Sequence, residues 1–350
     1  MNEERFTQEA QRLVIGVDHG AGAIKVCTHG VGVELPSQVA ADGARLQQAD
    51  VMGLEQAKPP TNVQTPVGDF WVGSGAHRWG NPLETLDHSR FRGSPGIAAL
   101  FYGALERHVQ QYSTDLDVLE KAYVGLPQQA ANEDGLVADV RGWMEGTHTW
   151  HVDNGPERKL ELREVKVTTQ PVAALFDYLL MPEGDFVSGR KAHFSREVGI
   201  LSVGMSTVEM LVVEGGKPVP RFTHAENAGV RRLLQLLDPR GHYSRGELDD
   251  QLRAGQFNGQ LDSVLNVWGA EITGLIEEHW ESGGQTWERF AAVIVVGGGA
   301  HLLRQQLIRK FAGKVHIPDD PVLAIARGLW KMATRHEIPL VKRRARRRAA

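Results

Sequence analysis

The sequence predicts an α/β protein built from two related domains that face one another across a cleft. Strand and helix patterns alternate along each half of the chain, which is typical of the α/β class. A strand–turn–strand pattern occurs twice, as VIGVDHGAGAIKV at 14–26 and as VGILSVGMSTVEM at 198–210. The chain of 350 residues is also long enough for two domains of ordinary size.

The two copies of this pattern keep a constant offset of 184 residues, so Asp18 aligns with Ser202 and Lys25 with Glu209. Each copy predicts two strands joined by a glycine turn. A glycine lets backbone amides approach an anion, because no Cβ stands in the way. Two such hairpins could clamp a polyphosphate from both sides, although each copy alone also fits an ordinary hairpin.

The first half of the chain predicts strands over 13–35 and irregular loops over 40–70, where KPPTNVQTPVGD carries turn signals. Ser94-Pro95 form an N-cap and first-turn pair for a helix that ends near Tyr112. A buried strand follows at 119–127 (LEKAYVGLP).

The middle of the chain, from 128 to 160, is polar and interrupted by Gly and Asn. In the HTWH segment of this region, His148 and His151 could bind one metal ion. Because no strong third ligand lies nearby in the sequence, the favoured interpretation is that both are surface histidines in a polar loop. ELREVKVTTQ then predicts a strand, and Pro171 opens a helix.

The second half predicts a long helical stretch over 228–281 with breaks at Gly241 and near Gly255. AAVIVVGGGAHLL predicts a buried strand, a triple-glycine turn and a helix, whose N-terminus favours negative charge. DDPVLAIARGLWKMA predicts a closing helix with Pro321 near its first position.

The composition predicts a soluble, cytoplasmic protein with no membrane partner. Hydrophobic residues make up 41% and charged residues 23% of the chain, and the N-terminus has no apolar secretory segment. Cys27 is the single cysteine, which excludes an internal disulfide and a cysteine-based zinc site, and it is expected to be a buried strand residue.

The charge is distributed unevenly along the chain. Six of the 39 basic residues lie in the ending VKRRARRRAA, so the rest of the chain holds 33 basic against 43 acidic residues. This basic tail, 342–350, either contacts an anionic partner or is a solvated terminus.

Several other signatures are excluded. GxxxxGK[ST] is absent, because Gly216-Lys217 and Gly313-Lys314 are followed by Pro218 and Val315. A dinucleotide fingerprint fails at Lys25, where its third glycine belongs. Ser74 and Ser206 lack the GxSxG frame of a hydrolase elbow.

Five motifs in one order resemble the actin and DnaK-chaperone superfamily of two-domain ATPases, and within it the plasmid-segregating actins of the ParM type and related archaeal actin-like proteins. These motifs are VIGVDHGAGAIKV (phosphate-1 loop), TTQPVAALFDY (first connecting helix), LSVGMSTVEMLVVEGG (phosphate-2 loop), VIVVGGGAHLL (adenosine loop) and VLAIARGL (second connecting helix). ELPSQVA, FWVGSGAHR, YVGLP and HAENAGVRRLL resemble further ParM-like segments. The resemblance spans about 13–333.

The resemblance implies two actin-like domains with ribonuclease-H-like cores around a nucleotide cleft. It places domain I at 12–168, with a smaller subdomain at about 40–95, and domain II at 169–318, with a helical subdomain at about 230–285. A C-terminal helix, 319–341, returns to domain I, and the basic tail 342–350 follows.

The resemblance also implies roles for single residues. Asp18 would organise the water shell of Mg²⁺, Lys25 would reach the phosphates, and Gln170 would orient the attacking water. The remaining contacts would come from three glycine loops and one further glycine: Gly20, Ala21, Gly22 and Ala23 at the β-phosphate; Gly204, Met205, Ser206 and Thr207 at the γ-phosphate; Gly297, Gly298 and Gly299 at the adenosine; and Gly229 near the ribose.

One position departs from the family pattern, because Ser202 replaces the aspartate of the phosphate-2 loop. A serine cannot supply negative charge or take a proton near neutral pH, so slow hydrolysis is expected. Glu209 is a candidate substitute carboxylate, although it lies seven residues further along the chain.

The leading hypothesis is a filament-forming ATPase that uses ATP (or GTP) with Mg²⁺ and separates plasmid DNA through a DNA-binding adaptor protein. Its partners would be further copies of itself and that adaptor. Two alternatives remain open: a small-molecule kinase of the same superfamily, and a nucleotide-gated scaffold that does not polymerise.

Overall fold

A computed structural model describes residues 13–42, 58–83, 87–257, 261–281 and 286–337. The basic tail and the first twelve residues lie outside the described residues. The strands of the first half are β1 (Val14–His19), β2 (Ala23–Thr28), β3 (Val31–Pro36), β4 (Val39–Ala41), β5 (Thr61–Thr65), β6 (Gly68–Val72), β7 (Asn81–Pro82), β8 (Val118–Leu119), β9 (Lys121–Leu126), β10 (Gly146–Val152), β11 (Arg158–Leu162) and β12 (Val165–Thr169).

The helices of the first half are α1 (Pro95–Tyr112), α2 (Gln128–Ala131), α3 (Leu136–Met144) and α4 (Gln170–Leu179). The second half contains β13 (Val198–Val203), β14 (Val208–Glu214), β15 (Lys217–Pro218), β16 (His224–Glu226), β17 (Ala292–Val296) and β18 (Val315–His316). Its helices are α5 (Val230–Leu237), α6 (Arg245–Arg253), α7 (Leu261–Ile276), α8 (Gly298–Leu302), α9 (Arg304–Lys310) and α10 (Ala324–Glu337).

Two core sheets repeat the same arrangement, one in each half. The first has the order β12-β9-β1-β2-β3, with β1 antiparallel to β2 and parallel to β9. The second has the order β15-β14-β13-β17-β18, with β13 antiparallel to β14 and parallel to β17. The duplicated hairpin predicted from the sequence is therefore confirmed as β1–β2 and β13–β14.

A further sheet lies on the outside of the first half, with the order β7-β4-β6-β5-β10-β11-β8. The irregular loop predicted over 40–70 is wrong where the structure describes it, because β5 and β6 form a hairpin there. β5 consists mostly of polar residues, and Gly68 (φ 141°) and the exposed Val67 lie at the tip of the hairpin, so this segment carries turn signals although its strands are paired.

Helices α4 and α10 pack against each other between the two core sheets. Their contact is close because a Cβ on Gly328 of α10 would lie 1.9 Å from the carbonyl oxygen of Ala173 in α4. Arg327 and Lys331 of α10 both contact the buried Asp177 carboxylate of α4, at 2.6 and 2.7 Å. We call this helix pair the pivot, since it is where the two halves are joined.

The helix boundaries follow local sequence signals. Ser94 caps α1 by accepting a hydrogen bond from the Ile97 amide at 3.4 Å. Glycines with left-handed φ separate α5 from α6 (Gly241, φ 67°) and end α6 (Gly255, φ 67°), as predicted. Pro321 does not open the last helix, which begins at Ala324; Asp320 instead accepts hydrogen bonds from the following amides.

The prediction that His148 and His151 lie in a surface loop is wrong in part. Both lie on β10, whose side chains alternate between core and solvent. His151 is exposed, whereas His148 is buried, contacts the Tyr102 hydroxyl at 3.0 Å and bonds the Met144 carbonyl at 2.7 Å. Burial lowers the pKa of His148.

Candidate functional site

A cavity of about 830 Å³ lies between the two duplicated hairpins. This volume is within the range of small-molecule sites. The hairpin turns meet at its floor, because a Cβ on Gly22 would lie 2.9 Å from the Cβ of Met205. The predicted site residues that line it are Asp18, Gly20, Ala21, Gly22, Ala23, Lys25, Gln170, Ser202, Gly204, Met205, Ser206, Thr207, Gly297 and Gly298.

Asp18, Lys25 and Gln170 form one bonded group at the floor of the cleft. Asp18 and Lys25 are directly opposite one another in the β1–β2 register, so their side chains share a face of the sheet. Lys25 Nζ lies 3.0 Å from Asp18 Oδ2, and Gln170 Nε2 donates to Asp18 Oδ1 at 2.6 Å. Gln170 belongs here because β12 runs parallel to β9 and α4 begins where β12 ends.

The second hairpin turn is held in shape by backbone bonds from the start of α5. The amides of Val230 and Arg231 donate to the carbonyls of Gly204 and Met205, at 2.9 and 2.7 Å. Gly229 does not line the cavity. It lets the start of α5 approach the second hairpin turn closely, because a Cβ on Gly229 would lie 2.6 Å from the Gly204 carbonyl oxygen.

Ser202 and Glu209 occupy the rung of β13–β14 that corresponds to Asp18 and Lys25 in the first hairpin. Glu209 is therefore adjacent to Ser202 across the hairpin, although seven residues separate them along the chain. Glu209 Oε1 accepts a hydrogen bond from the Gln128 amide at 2.6 Å, and Oε2 is buried with no partner among the described residues. Burial, opposed by the hydrogen bond from the Gln128 amide and helped by the nearby charge of Asp18, raises the pKa of Glu209 to about 7.

The triple-glycine turn after β17 also lines the cavity, through Gly297 and Gly298. Gly297 has φ 93° and donates its amide to the Pro321 carbonyl at 2.8 Å. Gly299 lies away from the cavity, where a Cβ would lie 2.2 Å from Val203 Cγ1. Of the three glycines predicted to face the adenosine, Gly297 and Gly298 therefore line the cavity and Gly299 does not.

The cleft also contains residues that sequence reasoning missed. Arg90, Glu34, Arg253 and His301 line it, together with Asp319 and Asp320 before α10. No motif marks them, because they come from a short 3₁₀ turn, a strand edge and helix ends that only tertiary structure brings to the cavity. Burial lowers the pKa of Arg90 to about 10, so its guanidinium stays charged at neutral pH.

The cleft is bridged on its outer side by a set of hydrogen bonds that we call the latch. Asp250 of α6 accepts hydrogen bonds from Gln38 Nε2 at 2.7 Å, from Ser74 Oγ at 2.5 Å and from the Gly75 amide at 3.0 Å. Arg253 on the same helix pairs with Glu34 at 3.3 Å. The latch joins the outer parts of the two halves.

The chemistry of these residues fits a nucleotide with a divalent cation. Ser206 Oγ is buried with no hydrogen-bond partner among the described residues, so it is free to contact a phosphate oxygen. Across those residues no three His, Cys, Asp or Glu side chains form a metal cluster. A Mg²⁺ at Asp18 would therefore take its other ligands from water and phosphate, as it commonly does.

Residues 16–172 match the family model described as actin like proteins N terminal domain. A comparison with curated proteins by sequence finds no match. In the part of the chain that the structure describes, no helix has the length and apolar character needed to cross a bilayer.

Solved structures share the whole fold. The actin-like protein Alp7A has a TM-score of 0.70 and 15% identity, over 97% of this chain and 100% of that one. Ta0583, an archaeal actin homologue, in complex with ADP has a TM-score of 0.68 and 18% identity, over 92% and 99%. A ParM subunit from a 15-stranded filament of Clostridium botulinum has a TM-score of 0.63 and 17% identity, over 94% and 100%.

The fold and the matched segment define the class of protein: the chain has the two-domain actin-like fold. Its first half matches the actin-like N-terminal domain family, and the fold of the whole chain is similar to those of a ParM, of Alp7A and of an archaeal actin homologue. The resemblance predicted from the five motifs is confirmed at this level.

Proposed function

We propose that this protein is a cytoplasmic ATPase that binds ATP with Mg²⁺ in the cleft and assembles into filaments. The observation that carries the proposal is the Asp18–Lys25–Gln170 group, which lies where glycine turns from both halves converge. By analogy with the ParM family, the filaments would segregate plasmid DNA through a DNA-binding adaptor protein, and the basic tail could contact an anionic partner.

The glycine turns would hold the phosphates through their backbone amides, the first turn at 20–23 and the second at 204–207. Lys25 adds a positive charge that is already placed by its bond to Asp18. Gly297 and Gly298 would lie against the adenosine at the opposite end. The ADP complex of Ta0583 supports a nucleotide of this kind.

A bound Mg²⁺ would neutralise phosphate charge during hydrolysis. Asp18 is the carboxylate placed to hold it, since its burial and its bonds to Lys25 and Gln170 fix its orientation. Gln170 keeps its side-chain oxygen available to orient a water molecule, because its Nε2 is engaged with Asp18.

Glu209 is buried behind Ser202 and does not line the cavity, so it would accept a proton relayed through Ser202 or a water molecule. Its free Oε2 and its pKa of about 7 suit a general base at neutral pH. The lost aspartate of the phosphate-2 loop would then be replaced by a carboxylate on the neighbouring strand of the same rung.

Assembly is supported by the structural similarity to a ParM subunit that forms a 15-stranded filament. The two halves meet at a pivot and enclose the ligand, so cleft closure would change the relative position of surfaces that neighbouring subunits share.

The test combines nucleotide binding with light scattering for wild type and Asp18→Asn, which keeps the shape of the side chain and removes its charge. We expect wild type to bind ATP with Mg²⁺ and to scatter more light on assembly, whereas Asp18→Asn loses both by tenfold or more, roughly the effect of removing one charge-assisted contact. Asp262→Ala, an exposed change on α7, is the control.

Wild-type protein that binds no nucleotide would reject the proposal. Nucleotide binding without any rise in light scattering would favour the non-polymerising scaffold. Transfer of phosphate from ATP to a small molecule would favour the kinase.

A further inference from the structure

Arg90 is a cation that faces the cleft, and no carboxylate in the described part of the chain forms an ion pair with it. The described residues contain no carboxylate within ion-pair distance of its guanidinium, whose one hydrogen bond is a long contact of 3.5 Å from Nη2 to the His19 carbonyl. A half-buried charge of this kind is unfavourable unless something compensates it. The neighbouring Arg92 differs, because it is exposed and bonds Glu133 and Asp139 outside the cleft.

The position of Arg90 is fixed by its surroundings. Its guanidinium lies 4.6 Å from the ring centre of Phe91, which is fully buried. The Phe91 carbonyl accepts a hydrogen bond from Trp143 Nε1 at 2.8 Å, and this anchors the 3₁₀ turn His88–Arg92. The arginine is therefore held in place before any ligand arrives.

The contact with His19 locates Arg90 along the cleft. His19 follows Asp18 directly and precedes the first glycine turn, so the guanidinium lies at the Asp18 end. Gln170 lies at this same end, because its Nε2 donates to Asp18 Oδ1 at 2.6 Å. Asp18 is the residue proposed above to hold Mg²⁺ at the phosphates, so an anion held beside Arg90 would be a phosphate group of the nucleotide.

We propose that Arg90 contacts the terminal phosphate of a bound nucleoside triphosphate and so makes the site prefer the triphosphate over the diphosphate. This inference rests on the nucleotide site proposed above. A guanidinium matches phosphate geometry with two parallel N–H donors, and it can stabilise negative charge that develops during phosphoryl transfer. Arg90 would then be a catalytic residue from the first half, acting opposite the second glycine turn.

The experiment measures equilibrium affinity for ADP and for a non-hydrolysable ATP analogue, each with Mg²⁺, in wild type, Arg90→Gln and Arg90→Lys. We expect Arg90→Gln to lose about 10- to 100-fold in affinity for the analogue, the usual range for one charged hydrogen-bonded contact, and to keep its affinity for ADP. Arg90→Lys keeps the positive charge but has no pair of parallel N–H donors, so it should lose less affinity for the analogue than Arg90→Gln.

Arg92→Ala is the matched control, two residues away and outside the cavity, and it should bind both ligands like wild type. Thermal unfolding of each variant checks its fold; should Arg90→Gln not fold, Arg90→Lys carries the comparison. Equal losses for both ligands, or no loss for either, would overturn the role of Arg90 and leave the nucleotide site standing. Wild type that binds neither ligand would instead overturn the site itself.

Discussion

At the scale of single residues, the two hairpins place charge differently on the same rung. The first rung pairs a carboxylate with an ammonium group, at Asp18 and Lys25, and the two neutralise one another. The second pairs a hydroxyl with a carboxylate, at Ser202 and Glu209, and leaves the carboxylate without a cation among the described residues. An unpaired buried carboxyl group holds its proton to higher pH, which accounts for the raised pKa of Glu209.

Glu209 should therefore give single-turnover phosphate release a pH dependence. The ionised form of Glu209 is the base, so the rate should rise as pH increases through about 7 and then level off. Glu209→Gln should abolish this rise and slow release by up to about 10²-fold, the usual contribution of a general base. Stopped-flow detection of phosphate after mixing with ATP and Mg²⁺ measures both effects.

Ser202→Asp tests the same idea from the other side of the rung. A second carboxylate next to Glu209 should raise the pH at which the rate of phosphate release increases, because like charges disfavour ionisation of Glu209. It should not make phosphate release faster. If Ser202→Asp released phosphate faster than wild type and Glu209→Gln released it at the wild-type rate, Ser202 would simply make the enzyme slower and Glu209 would not replace the missing aspartate.

The residues of the site were predictable wherever a motif carries them. Asp18, Lys25 and Gln170 follow from the motifs, and the structure places Lys25 Nζ and Gln170 Nε2 within 3.0 Å of the Asp18 carboxylate. The closeness of Glu209 to Ser202 depends on a hairpin register, which the sequence implied only through the repeat. Arg90 carries no local signal, because its position depends on a turn packed beneath Phe91.

At the scale of elements, the pivot helices α4 and α10 approach so closely that one glycine decides their spacing. The carbonyl oxygen of Ala173 occupies the space that a side chain on Gly328 would need. Both helices bury most of their side chains against the two core sheets, so neither can shift without disturbing the other contacts.

Gly328→Ala should therefore destabilise the protein. The added methyl group meets backbone atoms 1.9 Å away, and overpacking of this kind costs about 1–3 kcal/mol or more in the free energy of unfolding. Gly142→Ala is the control: Gly142 is an exposed residue inside α3 with nothing near its Cβ position, and alanine there should stabilise by about 0.5–1 kcal/mol. Urea unfolding of both variants measures the difference, and equal signs would contradict the account.

Helices and strands with strong periodicity or capping residues were predicted well. Strands that depend on hydrogen bonding to strands distant in the sequence were not. Helix α1 begins where Ser94-Pro95 indicated, because an N-cap is a local feature. Strands β5 and β6 were missed, since their stability comes from partners in a sheet that spans both 39–41 and 146–152. The last helix starts three residues after Pro321, because Gly297 uses the Pro321 carbonyl and holds that residue in the preceding turn.

At the scale of the whole molecule, the two halves are joined in two different ways. The pivot is buried and combines apolar packing with the Asp177 ion pairs. The latch is polar and partly exposed, with Asp250 at its centre. Opening of the cleft should therefore break the latch and turn about the pivot.

Asp250→Ala should speed nucleotide exchange. The change removes the acceptor for Gln38, Ser74 and the Gly75 amide, and contacts to a charged acceptor of this kind contribute enough to shift a rate by about tenfold or more. Dissociation of a fluorescent ADP analogue, chased with unlabelled ATP, measures the rate. Asp262→Ala should leave it unchanged, and a wild-type rate in Asp250→Ala would mean that the latch does not limit exchange.

One backbone amide of the latch, that of Gly75, can report on opening of the cleft. The Gly75 amide proton is bonded to side chains, at 3.0 Å to Asp250 and 3.2 Å to Gln38, rather than to a strand or helix partner. Deuterium can replace that proton only while these bonds are open, whereas the amides of β1 and β13 remain covered until the core unfolds. Because Gln38 is in the same half as Gly75, exchange requires both bonds to open, so hydrogen exchange at this one glycine gives a lower limit on the fraction of time that the cleft is open, in unlabelled protein.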